Sequence, residues 1–120
     1  MSDSPGESLI RAAASQDFAR ARSLLAAGVE FRALTPMKLF EADGSEETLR
    51  ILEEWYSPVD AVEALESDMV GGRPSVRYRI RWSSEDEGAF VFEQQAYYDV
   101  SDGLISRIHI VCSGDRPIET

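Results

Sequence analysis

Residues 90–114 read FVFEQQAYYDVSDGLISRIHIVCSG, with apolar and polar residues alternating on both sides of one sharp turn. Alternation at period two marks a strand with one buried face. Asp102 and Gly103 tolerate the positive φ of a tight hairpin, so Ser101-Asp102-Gly103 joins a strand over 89–100 to one over 104–113. Further upstream, Val76, Tyr78, Ile80 and Trp82 alternate with Arg77, Arg79 and Arg81, which predicts a strand over 75–83. The polar run 84–88 and the pair Gly71-Gly72 bound it, and a first strand is predicted over 59–70.

Before Pro58 the period becomes helical. Residues 7–27 carry apolar side chains at helical spacing, interrupted at Ser15-Gln16-Asp17, where Asp17 can cap a new first turn. Two tandem helices are expected, with Leu9, Ile10, Ala13, Phe18, Ala21, Leu24 and Leu25 as the buried stripe and Gly28 as a left-handed C-cap. Val29–Leu34 reads as a short extended piece ended by Thr35-Pro36. Ser45 can cap a helix over 46–56 that Ser57-Pro58 stops, with Leu49, Leu52, Trp55 and Tyr56 on its apolar side. Helices followed by an antiparallel meander form the α+β pattern, in which N-terminal helices pack on the concave face of one curved sheet.

A chain of 120 residues with 43% hydrophobic content suits one domain over 1–120, with about 1–6 and 116–120 as loose ends. No apolar run approaches the roughly 20 residues of a membrane helix, and the start MSDSPGES has no export signal, so a cytoplasmic protein without membrane contact is expected. Twenty-two Asp and Glu against twelve Lys and Arg give a net charge of −10, which argues against nucleic acid. One Cys and one His make a disulfide framework or a metal site improbable, and no motif calls for a cofactor.

The segments LLAAGVEFRALTP (24–36), EEWY (53–56) and the hairpin of 90–114 resemble the nuclear transport factor two-like, or SnoaL-like, superfamily, which includes ketosteroid isomerases and polyketide cyclases. FRALTP, EQQAYY and CSGDRP look like an uncharacterised bacterial subgroup. The resemblance covers nearly the whole chain and implies a cone-shaped, cystatin-like α+β barrel with a ligand cavity between helices and sheet. The catalytic patterns of known members do not carry over. Ketosteroid isomerases use an Asp base and an oxyanion hole of Tyr and protonated Asp, and the first two helices here have no Tyr. The final strand lacks the acidic residue of SnoaL-type cyclases, and His109 has no second His as in the scytalone-dehydratase type.

Strand phase then selects candidate residues. Val76, Tyr78, Ile80 and Trp82 continue against Phe90, Phe92, Gln94, Ala96 and Tyr98, leaving Arg77, Arg79, Arg81, Gln95 and Tyr97 on the outer face. A three-residue loop at 101–103 puts Tyr98 near Ser106, Gln94 near Ile110 and Phe92 near Cys112, with Cys112 inside and His109 outside. A two-residue loop would turn Arg107 and His109 inward; the first register is preferred because it buries Ile108 and Ile110. The expected pocket residues are therefore Trp55, Tyr56, Tyr78, Gln94, Tyr98 and Cys112. Gln94 stands out because a buried amide must find partners in protein, water or ligand; it is either a structural amide or a ligand contact. Asp60, at the start of the first strand, is the candidate base if it faces the cavity.

Two functions follow as expectations. One is a binder of a small, mostly apolar molecule, with isomerase, dehydratase or cyclase activity if Asp60 serves as base. The other is a homodimer or protein-association module using the convex face through Arg77, Arg79, Arg81, Gln95, Tyr97 and His109.

Overall fold

Two short helices open the described chain, which in the computed structural model comprises residues 4–57 and 59–118. Helix α1 (Pro5–Ala14) is capped by Ser4, whose Oγ accepts from the Glu7 N–H at 3.2 Å, with Pro5 in the first turn. Helix α2 (Phe18–Leu24) is capped by Asp17, which accepts from the Arg20 N–H at 3.2 Å. Gly28 does not cap it. The chain passes straight into strand β1 (Leu25–Leu34), and Gly28 lies within a bulge between Leu25 and Glu30. Pairing with a neighbouring strand and burial of Leu25, Val29, Phe31 and Ala33 override the helical preference of Ala26-Ala27.

Strand β2 (Leu39–Asp43) returns antiparallel along β1 after a turn in which the Thr35 N–H donates to the Lys38 carbonyl. This strand escapes sequence reading because only Ala42 among its residues is buried. Helix α3 (Ser45–Tyr56) has Gly44, not Ser45, at its N-cap, and no side-chain cap. Pro58, read as its stop, lies outside the described residues. Strands β3 (Val59–Val70), β4 (Arg73–Ser84), β5 (Gly88–Ser101) and β6 (Leu104–Cys112) form the meander. A two-residue strand β7 (Arg116–Pro117) occupies part of the expected loose end and pairs with Phe90 and Val91 of β5.

The sheet runs β2-β1-β6-β5-β4-β3, with β7 beside β5. It is curved and unclosed, antiparallel throughout except where β1 runs parallel to β6. Strands β4 and β5 share the expected inward face, and their pairing sets Val76 opposite Ala96, Tyr78 opposite Gln94 and Ile80 opposite Phe92. The β5–β6 hairpin corrects the loop. Ser101 pairs with Leu104, leaving a two-residue turn at Asp102 (φ 53°) and Gly103 (φ 81°). A register shift between Asp99 and Val100 then passes over Ser106, so that Tyr98 faces Ile108, Ala96 faces Ile110 and Gln94 faces Cys112. One extra residue flips a strand's faces, and this bulge restores the phase that the shorter turn would have inverted. Ile108 and Ile110 are buried, as anticipated.

The inner face of the sheet and the apolar sides of the helices make one core. Leu9, Ile10 and Ala13 of α1 and Leu49, Leu52 and Tyr56 of α3 join Val76, Tyr78, Ile80, Ala96, Tyr98 and Ile105. At Gly6 the approach of α1 is so close that an added Cβ would sit 2.5 Å from Tyr98 Cε1. Any other residue there would force α1 or the Tyr98 ring to shift.

Candidate functional site

The inner face is not filled along its whole length. Beyond Gln94, where α3 ends and the β1–β2 turn approaches the segment after β6, it borders a cavity of about 570 Å³. Its walls are aromatic: Phe40 from β2, Trp55 from α3, Trp82 from β4 and Phe92 from β5. Phe40 meets Trp55 edge to face at 5.3 Å, and Trp82 stacks on Phe90 at 4.7 Å. The cross-strand partners Gln94 and Cys112 also line it. Around its mouth stand Pro36, Met37, Glu54, Asp115 and Arg116. Asp115 Oδ1 accepts from Trp82 Nε1 at 2.8 Å, tying the C-terminal segment to the wall. The Gly114 N–H points at Cys112 Sγ at 3.4 Å.

Gln94 is 3% exposed, and its two ends have different fates. Oε1 accepts from Tyr78 Oη at 2.5 Å and from Tyr56 Oη at 3.2 Å. A separation of 2.5 Å suits O–H···O and is too short for N–H···O, which assigns the oxygen to the tyrosine side. Burial pushes both phenols well above their ordinary pKa; at Tyr56 the rise is opposed by the hydrogen bond that Tyr78 would give to an ionised Tyr56 oxygen, and at Tyr78 the neighbouring Tyr56 adds to it. Both hydroxyls therefore keep their protons and act as donors. The carboxamide nitrogen has no hydrogen-bond partner among the described residues. Sequence reasoning posed a structural amide against a ligand contact; here the oxygen is structural and the nitrogen is left for the cavity.

Neither a family model nor a curated protein sequence matches the chain. Solved structures do. A candidate polyketide cyclase from Xanthomonas campestris pv. campestris superposes with a TM-score of 0.70 at 18% identity, covering 89% of this chain and 86% of that one. An LEH-like epoxide hydrolase from M. tuberculosis gives 0.67 at 14% identity, covering 91% and 80%. A nuclear transport factor 2-like protein of unknown function from Cytophaga hutchinsonii gives 0.62 at 17% identity, covering 94% and 93%. The chain has the nuclear transport factor 2-like fold.

Within this nuclear transport factor 2-like fold the remaining candidate residues separate. Trp55, Gln94 and Cys112 border the cavity; Tyr56 and Tyr78 lie behind Gln94, reaching it through their hydroxyls. Tyr98 is packed against Gly6 at the other end of the core. Asp60 is exposed and accepts from Ser83 Oγ at 2.7 Å, so it does not face the cavity. The reason is position: β3 is an edge strand, and Asp60 pairs its side chain with the rim of β4. Glu54 and Asp115 are instead the carboxylates at the mouth. The wall residues Phe92 and Trp82 were legible from strand phase. Phe40, Asp115 and Arg116 were not, since β2 and β7 carry almost no burial pattern.

On the outer face the arginines are paired across strands: Arg77 with Glu66 at 2.8 Å, Arg79 with Glu93 at 3.1 Å and Arg81 with Glu63 at 2.6 Å. Gln95, Tyr97 and His109 are half-buried there. Desolvation holds His109 below the ordinary imidazole pKa; Arg32, Arg73 and Arg107 add to this and Glu30 opposes it. Its Nε2 is buried without a hydrogen bond, 3.8 Å from the Glu30 carboxylate. Among the described residues no group of three His, Cys, Asp or Glu side chains is placed to hold a metal ion, and no helix is long and apolar enough to cross a membrane.

Proposed function

We propose that the protein binds a compact, mostly apolar small molecule in this cavity, as a SnoaL-like binder. The observation that carries the reading is a half-satisfied, buried Gln94 at the end of an aromatic-walled space. Such a space with few polar groups is the usual form of a ligand site. The similar structures include proteins named as a polyketide cyclase, isomerases and an epoxide hydrolase, and isomerase, dehydratase or cyclase chemistry is the activity that fits this reading. Acid–base work of that kind falls in this reading to Glu54 or Asp115, the carboxylates that border the cavity, in place of Asp60. Titration with indane, read by the emission of Trp55 and Trp82, tests the binding. A saturable change that Phe92→Trp weakens by narrowing the space is expected; a linear, non-saturating response overturns the reading.

A second reading has its own observation. Leu39, Leu34 and Val111 are consecutive partners across β2, β1 and β6 and are 46%, 54% and 53% exposed. They form an apolar row on the outer face, continued by Gln95 of β5, which faces Val111. Exposed apolar rows rimmed by charge suit an association surface, and a homodimer through the convex face would cover this one. Light scattering should then give a dimer mass that Val111→Glu lowers and Arg79→Glu perturbs. A monomer at high concentration overturns it, whatever the cavity binds.

A further inference from the structure

The chemistry of Gln94 narrows the class of ligand, on the footing that the cavity is the ligand site. A free carboxamide presents both an acceptor and two donors. In this fold the acceptor is already used, because Tyr56 and Tyr78 both donate to Oε1. Neither phenol loses its proton near neutrality, since burial raises both. Turning the amide over would remove the oxygen to which both phenols donate, and since only one of the two hydroxyls could then donate to the other, at least one buried O–H would be left without an acceptor. What remains for a ligand is the NH₂ alone, a pure donor, in a setting where the adjacent wall residues Phe92 and Trp55 offer no hydrogen-bond acceptor of their own beside it.

We propose that the cavity selects ligands bearing a neutral carbonyl oxygen, a ketone, ester, lactone or quinone, which accepts from Gln94 Nε2. Tyr56 and Tyr78 are positioning residues: they do not line the cavity, but they fix which end of the amide looks into it. A carboxylate is a poorer occupant, because the cavity's one cationic side chain, Arg116, stands at the mouth beside Asp115 and with Glu54 also there. Two donating phenols on one carbonyl oxygen also polarise the amide and strengthen its N–H groups as donors.

Binding of 1-indanone and of indane, which differ in the carbonyl and are close in shape, separates this inference from the cavity reading. Wild-type protein should bind 1-indanone about tenfold more tightly than indane, the ratio expected for one good buried hydrogen bond. The infrared carbonyl band of bound 1-indanone should lie below its position in an apolar solvent. Gln94→Leu should bring the two affinities together and return the band. Tyr78→Phe, which leaves the cavity lining unchanged, should narrow the preference by releasing the amide. Equal affinities in the wild-type protein, with an unshifted band, overturn the selection for carbonyls while the cavity reading stands. If neither compound binds saturably, both fall. The wild-type comparison decides the matter even if Gln94→Leu does not fold.

Discussion

Tyr98 and Gln94 sit on the same face of β5, four residues apart, and meet opposite surroundings. At Tyr98 the helix layer presses down until Gly6 leaves no room for a Cβ, and the ring is sealed against α1. At Gln94 the helix layer gives out: α3 ends at Tyr56, and the space beyond is walled by Phe40, Trp55, Trp82 and Phe92. The same alternation places both side chains inward. Only the distance of the opposing helix decides that one is core and the other borders a cavity, so inward phase by itself does not identify a site.

Substitutions can break this contrast. The largest loss is expected for Tyr98→Ala, about 3–5 kcal/mol, as for large aromatic side chains removed from a tight core; denaturant unfolding measures it. Gly6→Ala should cost about 1–3 kcal/mol through overpacking against the Tyr98 ring. At the hollow end, Gln94→Leu should cost about 1–3 kcal/mol, because it strands two buried phenols. Cys112→Ala, which borders space that is already empty, should cost under about 1 kcal/mol. If Cys112→Ala proved as damaging as Tyr98→Ala, the division into a sealed end and an open end would be wrong.

The outer face sharpens the contrast from the other side, with smaller effects. His109 binds its proton less readily folded than unfolded, so its contribution to stability is fully present above the unfolded value of about 6.5 and is lost as pH falls below it. Unfolding midpoints should therefore fall as pH drops from about 6.5 towards 5, and His109→Asn should flatten that slope. The smallest effect belongs to the half-exposed pair Arg79–Glu93. A double-mutant cycle should give a coupling of about 0.2–1 kcal/mol, lower still at high salt.

Much of the architecture is legible in local pattern. The alternation in 75–83 and 89–100 sets which residues of β4 and β5 turn inward, and Asp17 marks a helix start through the hydrogen bond its side chain can accept, whereas α1 already begins at Pro5, inside the expected loose end. The failures share a cause. Gly28 reads as a helix cap because Ala26-Ala27 favour helix locally, yet pairing with β6 claims the segment for β1. Strand β2 and the β7 pairing leave almost no burial signature, and with them went Phe40, Asp115 and Arg116 of the candidate site. The two-residue turn at Asp102-Gly103 was mistaken for three because a bulge at Ser106 yields the same inward set.

By itself, then, the sequence determined which side chains turn inward: period-two alternation is a local property of the chain, and the choice between phases is settled by burying the isoleucines. It also determined that Gln94 would need partners, since an amide carries its hydrogen-bonding demand wherever it is placed. Tertiary structure decided which partners. Tyr56 reaches Gln94 from 38 residues away and Tyr78 from 16, and their convergence on one oxygen depends on how α3 lies against β4 and β5. A cavity is a shortfall of packing between distant segments, so it leaves no local periodicity to read, and the donor that faces it exists only once those segments have met.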